Sequence, residues 1–338
     1  MYKKIIILFV FVFLVISCDK KIKETESKLN NKNILLDKKI QSQKSNKRNF
    51  IKTPKKLKSI DFKNLYRPSY GCVDKKYLYI VDASSMLIHK IALYDTNYTV
   101  FGKGIGRGPG ELTGIRDIQY YKGNIYISDP IKHTIEVYSI NEEYVKTIKV
   151  NEIFPEQIII DNKGITAYNL YDHNCFFYKY DFNGKFIENF GSPLIMKHIG
   201  SGLYHETILC KLSDSSFIQI PKRLGLIGYY ENDSLIYIKE TIDGIRKEPN
   251  DIIYGENYER ADREKLFYTC LRVTSNDNFV VMLRFRISKD KKESYFDVYD
   301  KKTLDYLYSF ETPLKTNGMI LLNDTFLTFN NKIIIWEL

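Results

Sequence analysis

Several things are missing from this 338-residue chain, and each absence removes a class of protein. No apolar run reaches the roughly 20 residues that a membrane-spanning helix needs. The longest, residues 5–16, has twelve. The five cysteines show no CxxC or zinc-type spacing. Beyond Cys18 they are Cys72, Cys175, Cys210 and Cys270, too few and too scattered for a disulfide framework, so buried free thiols are expected. There is no GxxxxGK[ST] phosphate loop, no HExxH helix and no GxSxG elbow. No segment after residue 57 carries a helical pattern of useful length. The excess of positive charge is also absent from where it would matter. The whole chain is +10. Residues 19–58 hold 14 Lys/Arg and 4 Asp/Glu, whereas residues 59–338 hold 35 and 37, a net −2. A basic nucleic-acid face is therefore not expected on the folded part.

What is present begins with an export signal. Lys3 and Lys4 precede the apolar stretch, which suits a secretory signal core. Val15, Ile16, Ser17 and Cys18 resemble a lipobox, which implies cleavage before Cys18 and lipid on that residue. The expected organisation is a signal peptide at 1–17, a Lys-rich flexible tether at 18–56 and a folded domain at 57–338. A basic tether suits an anionic membrane surface.

From residue 57 the texture changes to short runs rich in Tyr, Ile, Phe and Val, broken by Asn, Asp, Gly and Lys. Such runs read as strands. They also repeat. Residues 77–82 recur as 124–129, and residues 89–95 as 133–139, a spacing near 47. Later copies start at 164, 216, 278 and 324. Units of four strands at a period of about 40–50 residues indicate propeller blades. The sixth unit ends after its third strand. Residues 56–62 alternate correctly to supply the fourth, which would remove an open edge. The expected fold is all-β, a six-bladed β-propeller whose last blade is closed by an N-terminal strand.

Residues 128–138 resemble the core of an NHL repeat, and residues 101–112 resemble the inter-blade segment of six-bladed propeller lipoproteins. The chain is thus similar, over roughly 57–338, to the NHL-like or TolB-like six-bladed propeller lipoproteins of Gram-negative anaerobes. That resemblance implies a fold and an exported, lipid-anchored setting, and no defined activity.

Candidate chemistry divides into local explanations and one open question. The glycines at 102–110 do not fit a nucleotide-binding register, so they read as a tight inter-blade route. Asp82 and Asp129 sit at equivalent turns, where a carboxylate binding local backbone explains the recurrence without catalysis. His89 and His133 are equivalent as well, and His173 is out of register, so a metal ring is not expected. Trp336 reads as core. The loops between second and third strands, and those between blades, should gather on one basic face bearing Arg107, Arg116, Lys132, His133, Arg223 and Arg284. The ligand residues expected there are Arg107, Arg116, His133, Arg223 and Arg284, with Cys18 as the lipidation site. No catalytic, metal or cofactor residue is expected.

The leading expectation is a lipid-anchored binding or scaffold protein of the cell envelope, at the outer membrane and facing the periplasm. Its partners would be membrane lipid through Cys18 and a glycan, peptide or protein at one propeller face. The alternative is a lyase or hydrolase acting on a glycan or lactone at the channel mouth. Propellers host both, so the site must arbitrate.

Overall fold

The structure, a computed structural model, describes residues 40–61, 65–95, 97–150, 153–172, 175–195, 202–246, 252–254, 259–262, 264–287, 292–312, 316, 318–323, 325–330 and 332–337. The signal peptide, Cys18 and His173 lie outside them.

Two strands precede the repeats, β1 (Ile40–Gln41) and β2 (Lys55–Asp61). Blade one is then β3 (Pro68–Val73), β4 (Tyr77–Asp82), β5 (Leu87–Ala92) and β6 (Tyr98–Phe101). Blade two is β7 (Asp117–Tyr121), β8 (Asn124–Asp129), β9 (Thr134–Ser139) and β10 (Tyr144–Lys149). Blade three is β11 (Gln157–Ile160), β12 (Ile165–Tyr168), β13 (Phe177–Tyr180) and β14 (Phe186–Phe190). Blade four is β15 (Thr207–Lys211), β16 (Ser216–Pro221), β17 (Leu226–Glu231) and β18 (Ser234–Glu240). A small hairpin, β19 (Ile252–Tyr254) and β20 (Glu259–Ala261), intervenes. Blade five is β21 (Phe267–Ser275), β22 (Phe279–Ile287), β23 (Lys292–Asp300) and β24 (Tyr306–Phe310). Blade six is β25 (Gly318–Leu322), β26 (Thr325–Phe329) and β27 (Lys332–Glu337), with β2 as its fourth strand. The expected closure is therefore present. Helix is confined to the single turn Gly202–His205 among the described residues.

The six inner strands touch in a closed ring, β3 to β7 to β11 to β15 to β21 to β25 and back to β3. Each blade–blade interface has its own apolar core. Tyr79, Ile118 and Tyr138 pack between blades one and two, and Ile80, Leu327 and Ile333 between blades six and one. The other four interfaces are filled likewise. A lone blade would expose both faces to water, so the blades are stable only as a ring.

The third strand of blades two to five ends in a buried aromatic, Tyr138, Tyr180, Tyr230 or Tyr299. At each, the pairing to the fourth strand slips by one residue. Blade six does the same at Trp336, which pairs with Lys56 of β2 while Ile335 pairs with Lys58. Such bulges raise local twist. The closing strand thus reproduces the defect as well as the pairing of an ordinary fourth strand.

One boundary differs from expectation. Residues 40–54, assigned to the tether, lie along the rim. Strand β1 pairs in parallel with β18, and Phe50 bridges to Ser309 beside β24. Gln43 donates to the carbonyls of Glu240 and Leu304 and accepts from the Tyr306 amide. Arg48 bonds both oxygens of buried Asp297 and pairs with Asp243 at 2.8 Å. A Lys-, Asn- and Ser-rich composition hides this, because the segment is held by scattered polar contacts and one two-residue strand pair that leave no periodic pattern.

Candidate binding site at the channel mouth

Inner strands of a propeller have one edge facing the axis, where backbone N–H groups lack a strand partner. Here polar side chains tie one blade to the next. Asp117 accepts from the Ile158 amide at 3.0 Å, Gln157 from the Leu209 amide at 2.6 Å, and Thr274 from the Leu321 amide at 3.0 Å. Ser275 donates to the Lys211 carbonyl. These ties surround a channel cavity of about 250 Å³. Cys72 and Cys210 line it as free thiols. Burial pushes Cys210 up to about 11, so neither an anionic nucleophile nor a thiolate ligand is poised there. Burial also lifts Asp117 to about 6, against the pull of its hydrogen-bond donors and of Arg272.

A second cavity, of about 430 Å³, opens at the end of the channel where the inter-blade loops gather. Its floor is apolar, with Pro68, Met86, Ile115 and Leu271. Its walls carry Arg67, Arg116 and Arg272, and no described lining residue is acidic. Arg67 is exposed. Arg116 keeps 56% of its side chain exposed and pairs with Glu156 at 3.0 Å. Arg272 lies over the Tyr70 ring at 5.2 Å. Sequence reasoning named Arg116 for this site. It missed Arg272, which follows an irregular stretch of the β21–β22 pairing, between Tyr268 and Arg272, that strand alternation does not reveal.

Beside this cavity lies a charged network. Glu206 binds Lys222 at 2.6 Å and Arg223 at 2.9 Å. Burial alone would raise Glu206, but the two cations outweigh it and hold the carboxyl below the usual range. Glu156 moves the other way, raised by burial in spite of Arg116 and Lys222.

The other expected ligand residues do not all reach this site. Arg223 is 1% exposed. Its guanidinium donates to the Leu203 carbonyl, Glu206 and the Tyr268 hydroxyl, so it is a structural cation. Arg284 is buried too, paired with Asp243 at 3.2 Å between the rings of Phe267 and Tyr295. Neither is available to a ligand. Lys132 is spent on Glu136 and on the carbonyls of Gly108 and Glu111. His133 bonds the Ile153 carbonyl through Nδ1 and packs on Phe154 with ring centres 4.3 Å apart. His89 is buried against the Tyr98 hydroxyl, so the two equivalent histidines serve separate local ends. Arg107 is exposed on the inter-blade loop.

That loop explains its own glycines. Gly102, Gly104 and Gly110 have positive φ, and the Glu111 carboxylate fills the space beside Gly106 while accepting from the Gly108 amide at 2.7 Å. The amides of Gly106, Gly108 and Gly110, donors of the kind a phosphate needs, are taken by the chain itself. Asp82 and Asp129 act as expected. Asp82 accepts from the amides of Tyr66, Arg67 and Ser84, and Asp129 from those of Thr113 and Lys132.

No protein-family profile matches the chain, and no curated protein sequence matches it. Its likeness is to solved structures. A Bacteroides vulgatus protein of the DUF4221 family superposes with a TM-score of 0.60 at 9% identity, covering 87% of this chain and 98% of its own. A Bacteroides fragilis protein described as exported gives 0.59 at 12%, covering 88% and 98%. Virginiamycin B lyase from Staphylococcus aureus gives 0.52 at 11%, covering 83% and 98%. At such identities the likeness establishes the six-bladed propeller fold and nothing of the chemistry.

Proposed function

We propose that the chain is an exported, envelope-held binding protein, anchored by lipid at Cys18 and displaying the channel mouth of its propeller to an anionic ligand. The observation that carries this reading is the 430 Å³ mouth cavity, walled by Arg67, Arg116 and Arg272 over an apolar floor. Arginine forks suit carboxylate, sulfate or phosphate, and concave sites with few convergent polar groups are the usual ligand pockets. The exported neighbour from Bacteroides fragilis accords with the setting.

Titration calorimetry with citrate and with an oligogalacturonate tests the site. Arg67→Glu with Arg116→Glu should weaken binding by roughly tenfold or more, since each reversal replaces attraction by repulsion. Binding that survives the double reversal would move the ligand elsewhere.

The enzymatic alternative rests on Glu156, which pairs with the cavity-lining Arg116 at 3.0 Å, with Glu206 as the next nearest described carboxylate of the neighbouring charged network. Two carboxylates in unlike surroundings can divide acid and base roles. Product formation from a bound glycan or lactone, lost in Glu156→Gln while binding persists, would establish it.

A further inference from the structure

The exposed apolar side chains of this propeller are unevenly placed. Most lie along the outer strands or the rim segment. Of those in loops, five sit on the mouth face of blades one to three: Tyr66, Ile105, Ile131, Phe154 and Tyr171, between 42% and 73% exposed. The loops of the opposite face expose Tyr94 alone among the described residues. Monomeric proteins scatter such residues singly, and a cluster on one face marks an interaction surface.

Ile131, Phe154 and Tyr171 are held in place by their neighbours. The Phe154 ring stands between His133, at 4.3 Å, and Tyr171, at 5.2 Å. His133 is itself fixed by its Nδ1 bond to the Ile153 carbonyl. Ile131, in the same turn as His133, lies across Gly114, where a Cβ would come within 2.7 Å of its Cδ1. Gly114 in turn lines the mouth cavity with Arg116. Ile131, through Gly114, thus brings one end of this apolar shelf to the edge of the arginine-lined cavity.

Resting on the anionic-ligand reading above, we infer that the ligand is a protein segment, acidic and bearing aliphatic or aromatic side chains. It would lay the apolar groups on Ile131, Phe154 and Tyr171 and its carboxylates on Arg116, Arg67 and Arg107. Three features favour protein over glycan. Exposed isoleucines offer nothing to a hydroxyl-rich sugar edge. The shelf crosses loops of three blades, a breadth suited to a polypeptide. Its composition, aromatic and Arg with the nearby Lys132 turned inward onto Glu136, Gly108 and Glu111, is that of protein interfaces. A shelf already rigid before binding loses little entropy on complex formation.

A random twelve-residue peptide library displayed on phage, selected on the full mature chain, tests this. Enriched peptides should combine Asp or Glu with Leu, Ile or Phe. Synthetic versions should bind at least roughly tenfold more weakly to Phe154→Ala with Tyr171→Ala, and to Arg116→Glu. Melting temperatures are read alongside; Tyr171→Ala alone, and Arg116→Gln, which does not set a second carboxylate beside Glu156, serve if the first variants are unstable. Selection of basic peptides, or of none, overturns the inference. So does acidic binding that needs Arg116 but ignores Phe154 and Tyr171, an outcome that leaves the anionic mouth site standing. An oligogalacturonate that binds through Arg67 and Arg116 where no peptide does assigns the mouth to a glycan instead.

Discussion

Arg223 and Arg116 show how one residue type takes two roles at one face. Arg223 satisfies a carbonyl, a carboxylate and a hydroxyl in the interior. Removing it leaves Glu206 with only Lys222, so Arg223→Ala should cost about 3 kcal/mol, read by denaturant unfolding. Arg107→Ala, on an exposed loop, should stay within about 0.5 kcal/mol in the same assay. A second residue, Asp117, makes a pH prediction. Its folded value of about 6 stands above the ordinary 3.8 because burial penalises the charge. The folded state thus holds the proton more tightly than the unfolded chain. The stabilisation is complete below about pH 4, is lost as pH rises to about 6, and is constant beyond, an effect of up to about 3 kcal/mol. The stability of Asp117→Asn relative to the parent should rise across that window. A difference that is flat with pH would show that the carboxyl titrates normally. The turn aspartates were legible from the repeat alone, because Asp82 and Asp129 each bind backbone 16 residues earlier in the chain and in the turn that follows. The fate of Arg223 was not legible. Nothing in its local sequence reveals that Glu206, Leu203 and Tyr268 converge on it.

At the scale of elements, the N-terminal segment is a strap over three blades. Strand β1 lies on blade four, Phe50 and Arg48 meet blade five, and β2 completes blade six. Arg48 bridges Asp297 and Asp243, both nearly buried, and Asp243 also holds Arg284. Arg48→Ala should cost about 3 kcal/mol, or roughly 6–12 °C in melting temperature, because it takes the paired cation from buried Asp297 and leaves Asp243 with Arg284. Truncation adds a graded test. A chain starting at residue 55 keeps β2 and should fold with reduced stability. One starting at residue 65 reopens the edge of β27 and should lose cooperative unfolding or aggregate. Equal melts for the two would refute the closure as a stabilising feature. The closing strand could be read from the sequence because its alternation matches a fourth strand and the sixth unit lacks one. The strap could not, since a two-residue strand and one buried arginine leave no periodic trace.

For the whole molecule, the propeller's orientation in the envelope depends on the anchor. Cys18→Ser should move the protein from the membrane fraction to the soluble one and abolish incorporation of labelled fatty acid. Retention in the membrane without label would indicate an uncleaved apolar segment at residues 5–16. By itself the sequence determined the number of blades, the order of strands and the ring closure. These follow from a local repeat, in which each unit carries the same alternation and turn residues and needs neighbours to bury its faces. Tertiary structure alone decided the site. The mouth cavity assembles Arg67, Arg116 and Arg272 from blades one, two and five, and the apolar shelf joins loops from blades one to three. Which arginines face solvent and which are buried depends on partners tens or hundreds of residues away, as with Arg48 and Asp297. Periodicity records the blade; convergence at the axis is recorded only in three dimensions.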